Sequence, residues 1–262
     1  MLEKVITIDT NTDLFRELRP HRCEDLTRVG GVKDGGYLVP LGYLRNLNTF
    51  VNFGVGEDFD FEIELRRSYG VLKILSFDSL VSTNYFMIHF LKGLIKVFLF
   101  RSKTRVVFQR LILLLKFVYF YSLSSNVKFF KVKIDEFNAE AILSDLPQNS
   151  AIKVDIEGGE YAILNTICTH KSKLNFIILE FHSIQLNEIT ILNFIKNLGS
   201  EFFIAHLSIN NWGSDINLLP QTIEVTFCRG SAKYNDFVDK LPNDKLDWHF
   251  SNKPIYSLNY NQ

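Results

Sequence analysis

Glu180 and His182 stand two residues apart at the end of the apolar run NFIILEF (175–181), so an extended chain points both to one face. A histidine titrates near neutrality and can take the proton of a hydroxyl that is about to act as a nucleophile. Asp155 lies near the end of a second apolar run, AIKVDI (151–156), and Glu157 follows it. Asp155, Glu180 and His182 form the catalytic set on this reading. Carboxylates beside an imidazole also suit Mg or Mn, so the same three residues are a candidate metal set, in which an ion would lower the pKa of a bound hydroxyl. The plainer alternatives are a hydrogen-bonded structural histidine at 182 and, at Glu160, an acid that favours a helix N-terminus. His206 and Asn210–Asn211 could add polar contacts or belong to a loop.

A second group of residues is suited to a cofactor. In VNFGVGEDF (51–59), Gly54 and Gly56 let a backbone come closer to a ligand than side chains would allow. A dinucleotide fingerprint needs a third glycine three residues after the second, and Phe59 stands there, which argues against NAD. Asp78 follows the run LKILSF (72–77) and can accept hydrogen bonds from both hydroxyls of a ribose, or simply cap a turn. Asn52, Glu57 and Ser79 flank these positions, and Asp135 follows the run VKFFKVKI (127–134). With Asp155 and Glu157 they complete the expected cofactor-binding set. A GxG loop followed by an acid suits a cofactor without a pyrophosphate, such as S-adenosylmethionine (SAM), whose methionine tail is zwitterionic.

These residues require a sheet to carry them. TFVNFG (49–54), LKILSF, VKFFKVKI, AIKVDI, NFIILEF, FFIAHLSI (202–209) and IEVTFC (223–228) read as strands. Helical character falls over 61–69, 160–168 and 188–198. Strand alternating with helix predicts βαβ units and a mainly parallel sheet.

The 262 residues are 47% hydrophobic and 22% charged, with zero formal net charge, so nothing in the overall charge points to nucleic acid. Cys23, Cys168 and Cys228 are odd in number and far apart, which argues against a disulfide framework or a zinc site and fits a reducing cytoplasm. The distribution of charge is uneven. From Ser79 to Ile134 there is no Asp or Glu, yet ten Lys and Arg residues fall there, so all 29 acidic residues lie elsewhere. Within that stretch, 84–121 predicts two basic amphipathic helices inserted between strands. A flap or dimer contact, a membrane-surface contact and a site for an anionic substrate are the readings left open.

KVDIEGGEYAIL (153–164) resembles the signature of the FkbM-type methyltransferases, and three further segments agree with it in order: RVGGVKDGGYLVP (28–40), FVNFGVGEDFDFE (50–62) and LEFH (179–182). The resemblance runs from about Arg28 to His206 and breaks at 84–121. It implies an α/β fold: a Rossmann-like SAM methyltransferase sheet, mostly parallel with an antiparallel last strand, in one domain over 1–262 plus the basic helical insertion. It implies a SAM-dependent O-methyltransferase and names no substrate; a small-molecule acceptor, a sugar or nucleotide-linked sugar of surface-polysaccharide synthesis, is the expected hydroxyl, and no nucleic acid is expected as partner. It adds Asp34, Gly35, Gly36 and Tyr37 to the cofactor set. A SAM-binding domain without catalysis and a membrane-surface interaction module are the alternatives. The expected location is the cytoplasm, at the membrane periphery if 84–121 binds lipid, and a homo-oligomer is open.

Overall fold

In a computed structural model, the described residues are 5–31, 35–99, 103–214, 220–232, 236–242, 247 and 255–260. The strands are β1 (Val5–Ile8), β2 (Leu26–Gly30), β3 (Gly36–Pro40), β4 (Thr49–Phe53), β5 (Lys73–Phe77), β6 (Val127–Phe130), β7 (Ser150–Val154), β8 (Leu174–His182), β9 (Phe202–Ser214), β10 (Pro220–Arg229), β11 (Lys240–Leu241) and β12 (Ile255–Asn259). The helices are α1 (Asp13–Glu17), α2 (Leu41–Leu44), α3 (Asp60–Ser68), α4 (Thr83–Phe98), α5 (Thr104–Leu123), α6 (Glu136–Ser144), α7 (Leu164–His170) and α8 (Ile184–Leu198).

Seven strands form the main sheet in the order β6-β5-β4-β7-β8-β10-β9. The first five are parallel, and β10 runs antiparallel between β8 and β9. This is the mostly parallel, Rossmann-like α/β arrangement expected, and β10, the last strand of this sheet in chain order, is antiparallel as expected. Every residue of β4 and β7 is buried, as befits central parallel strands covered on both faces. Residues alternate between two cores. Val51, Phe53, Ile152 and Val154 pack with α1, α6, α7 and α8. Phe50, Ala151, Phe176 and Ile178 pack with α2, α3, α5 and the β2–β3 hairpin.

Three features depart from expectation. The run 127–134 is a strand only as far as Phe130, because 131–134 leaves the sheet. The insertion is two helices, as expected, but they run over 83–98 and 104–123 rather than within 84–121. The β2–β3 hairpin and the small β1-β12-β11 sheet were not anticipated.

Candidate functional site

The wind of the sheet reverses between β4 and β7, and in open α/β sheets ligands bind in the crevice at the carboxyl ends of the strands at such a point. Gly54, Asp78, Asp155 and His182 all sit at those ends. Gly54 N donates to the Phe77 carbonyl at 2.9 Å and Asp155 N to the Phe53 carbonyl at 2.8 Å, which ties three strand ends together. At Gly54, with φ +92°, a Cβ would lie 1.6 Å from the Asp155 carbonyl oxygen. Its bareness therefore serves a contact within the protein. At Gly56, with φ +62°, a Cβ would meet nothing within 4 Å, so this glycine faces open space.

Asp78 holds the loop in shape. Its Oδ2 accepts from Val55 N at 2.9 Å and Gly56 N at 3.0 Å, while Oδ1 accepts from Leu80 N at 2.6 Å and Val81 N at 3.0 Å. Both carboxylate oxygens are thus engaged by backbone, and a ribose would share an already organised acceptor. A cleft of about 130 Å³ opens beside it. Gly54, Asp78 and Ser79 line one side, Lys133 and Ile134 another, and Asp155, Glu157 and Gly159 the third.

Several expected cofactor residues do not line this cleft. Asn52 is buried, and its amide donates to Glu62 of α3 on the inner side of the sheet. Burial pushes the Glu62 carboxyl up to about 7, against the opposing pull of the Lys153 ammonium. Asp135 is the N-cap of α6, where it accepts from Asn138 N at 3.0 Å in a capping box. The residues before it, Val132 to Ile134, line the cleft instead. Glu57 is exposed and accepts from Tyr85 Oη at 2.6 Å, so it tethers the loop to α4. Asp34 lies outside the described residues. Gly35 precedes β3, which Gly36 opens, and a Cβ on Gly35 would come within 2.5 Å of the Asp58 side chain in the glycine loop. Tyr37 is buried, with its ring 5.0 Å from Lys153 Nζ.

Around His182 the structure assembles four carboxylates. Nε2 lies 3.5 Å from Glu157, 3.8 Å from Glu180 and 4.0 Å from Asp155, and Nδ1 lies 3.2 Å from Glu160. Glu160 is wholly buried, and its other bonds come from His182 N and Gly158 N, both at 2.8 Å. It therefore orients His182, a role hidden in a sequence that offered only a helix-terminal acid. Burial disfavours the imidazolium, but the hydrogen bond and charge of Glu160, with Glu180 and Asp155, outweigh it and raise the pKa to about 9. The intrinsic pKa of a histidine is thus shifted upward here, toward the protonated ring. Asn210 Nδ2 donates to Glu180 at 3.3 Å, while the side chain of Asn211 is outside the described ones. His206 lies away from this group, 2.9 Å from Asp247.

Lys153 is the residue that sequence reasoning passed over. It is buried in β7, with Nζ 3.0 Å from the Gly54 carbonyl and 3.4 Å from Asp155 Oδ2. Burial lowers its pKa, yet Asp155, Glu62 and Glu180 together hold it above the ordinary lysine value. A cation in the middle of the strand AIKV was the available signal.

Among the described residues, Asp155, Glu157 and His182 have ligand atoms within 4.8 Å of one another. Glu157 thus takes the place that Glu180 had in the expected metal set. Two carboxylates and an imidazole fit Mg or Mn by donor chemistry, provided the imidazole first gives up its proton.

No protein-family model matches the chain, and no curated protein matches it. Several solved structures share its general layout at low identity. A precorrin-6y C5,15-methyltransferase from Geobacter metallireducens is 13% identical over 72% of this chain and 86% of that one, with a TM-score of 0.39. A spermidine synthase from Thermotoga maritima is 10% identical over 75% and 59%, with a TM-score of 0.43. The TrmK protein of M. capricolum, solved with S-adenosylhomocysteine, is 10% identical over 80% and 73%, with a TM-score of 0.37. The reading of cofactor and reaction rests on the site itself.

Proposed function

We propose that this chain is a SAM-dependent methyltransferase acting on a hydroxyl. The observation that carries the reading is electrostatic. At the switch point, where a dinucleotide fold presents bare amides to a pyrophosphate, this chain presents carboxylates: Asp78 in the loop, Asp155 and Glu157 on the wall of the cleft, and Glu180 beside His182. Such a site repels phosphates and suits a cofactor with a sulfonium and an ammonium. When bound, SAM would supply an electrophilic methyl group for the acceptor oxygen, with sulfur as the leaving atom.

The chain's own residues have three tasks on this reading. Gly56 leaves room at the loop, and Asp78 fixes the loop's shape. Asp155 and Lys153 hold the β4–β7 edge at a set charge. His182, in its neutral form, takes the acceptor's proton from Nε2 while Glu160 fixes the ring through Nδ1. On this reading the acceptor is a sugar or nucleotide-linked sugar and the reaction takes place in the cytoplasm. A divalent cation held by Asp155, Glu157 and His182 is a second reading, favoured by the closeness of those three groups.

A turnover assay tests the proposal by following S-adenosylhomocysteine formation with a panel of hydroxyl acceptors, sugar nucleotides included. Release of S-adenosylhomocysteine that survives EDTA and falls in His182→Ala supports the histidine as base. Loss in EDTA with recovery in Mg or Mn supports the cation. Turnover close to wild type in His182→Ala, with EDTA harmless, would defeat both accounts of the proton and leave positioning as the source of rate.

A further inference from the structure

Helices α4 and α5 pack against the domain by one face each. Phe86 from α4 and Leu114, Phe117, Phe120 and Tyr121 from α5 are buried, and Phe59 of the glycine loop contacts the rings of four of them. Lys116 pairs with Asp60 of α3, and Tyr85 donates to Glu57. The hairpin is therefore rooted beside the cofactor loop.

Its outer faces are apolar. On α4, Met87, Ile88, Leu91, Leu94, Ile95 and Phe98 are exposed, at the spacing i, i+1, i+4, i+7, i+8, i+11 that keeps them on one face. Phe98 is 84% exposed. On α5, Phe108, Ile112, Leu115, Tyr119 and Leu123 repeat the arrangement at i, i+4, i+7, i+11, i+15. Exposed apolar stripes of this length mark a contact surface. The exposed Lys92 and Lys96 border the α4 stripe, and Arg105 continues the α5 stripe at its start.

We propose that the α4–α5 hairpin docks the protein on an anionic lipid surface, with the apolar stripes among the acyl chains and the lysines and arginines at the level of the phosphates. Charge selects this occupant. The segment 83–123 holds seven cations and no acid, with only Lys116 of them paired to Asp60 among the ion pairs described, so its net charge complements anionic headgroups, whereas a second copy would set cations against cations. Thr104–Leu123 is long and apolar enough to cross a membrane, but its buried aromatic face belongs to the core, so α5 lies along the surface. This inference is independent of the methyl-transfer reading.

Sedimentation of the full chain with vesicles tests it, using phosphatidylglycerol mixed with phosphatidylcholine in one arm and phosphatidylcholine alone in the other. The wild type should bind the anionic vesicles and bind the neutral ones far more weakly. The double variant Lys92→Glu with Lys96→Glu should weaken anionic binding about tenfold or more, since each surface cation is worth about fivefold in partitioning. Ile95→Ser with Phe98→Ser should weaken it comparably. Both variants change exposed side chains and should keep the wild-type circular dichroism and SAM affinity. Failure of the wild type to bind anionic vesicles would overturn the proposal. So would a dimer in analytical ultracentrifugation that the Ile95→Ser, Phe98→Ser variant dissociates and that excludes vesicle binding, because the stripes would then belong to a second copy.

Discussion

At the carboxyl edge of the sheet, four carboxylates, an imidazole and a buried ammonium share a small volume, and Glu160, Asp78 and Lys153 are held by backbone groups. The α4–α5 hairpin is arranged in the opposite way. It has no acid, its cations are largely solvated, and its apolar residues outnumber what one buried face can use. Dense, mutually fixed charge gives a few atoms defined positions, which suits a small polar ligand. Separated cations along apolar stripes define no point in space, which suits an extended partner. The two regions meet at Phe59, Glu57 and Asp60, so the loop that shapes the cleft also anchors the hairpin.

The sharpest way to break the edge is at Gly54. Gly54→Ala should cost about 3–5 kcal/mol in urea denaturation, because backbone must move to admit the Cβ. Gly56→Ala, with open space but positive φ, should cost only about 1–2 kcal/mol. Equal effects would show that the β4–β7 contact at Asp155 is not tight.

The His182 environment comes next. His182→Ala should lower kcat by about 10²–10⁴-fold, and wild-type kcat/KM should rise with pH toward a plateau above about 9. A plateau already reached at pH 7 would mean that the carboxylates do not hold the proton.

Stability should show the same proton from the other side. His182 sits at about 9 in the fold against an ordinary 6.5. Its contribution is therefore complete below about 6.5 and is lost as the pH rises through about 9. Denaturation across that window should show wild type losing stability with pH. Glu160→Gln should be less stable at pH 6 by about 1–3 kcal/mol and should lose less over the window.

The hairpin's outer face gives the smallest effect. Phe98→Ser should change stability in urea by no more than about 0.5 kcal/mol. A larger loss would place Phe98 in the core rather than on an outward stripe.

Much of the sheet was legible because central strands announce themselves as short apolar runs, and the glycine loop because a GxG turn directly after such a run marks a strand end. Asp155, Glu180 and His182 were brought together by alternation along β8 and by the rule that parallel strands end on one edge. The rest depended on contacts distant in sequence. β1 pairs with β12 from opposite ends of the chain, and no local pattern encodes that partner. Asn52 follows strand alternation to the inner face, where Glu62 waits on α3, and only the packing of α3 reveals it. Asp135 looked like a strand-end ligand residue, yet its spacing to Asn138 was already a helix-capping pattern. Glu160 shows that a residue typical of a helix start can instead be the buried partner of a histidine 22 positions on.

An acidic cleft at the switch point suited to a cationic nucleoside cofactor should bind SAM and reject NADH. Titration calorimetry of the purified chain with SAM, and separately with NADH, tests it most directly. Saturable SAM binding, abolished by Gly56→Val, and no heat of binding from NADH are the expected results. Saturable NADH binding with no response to SAM would contradict it.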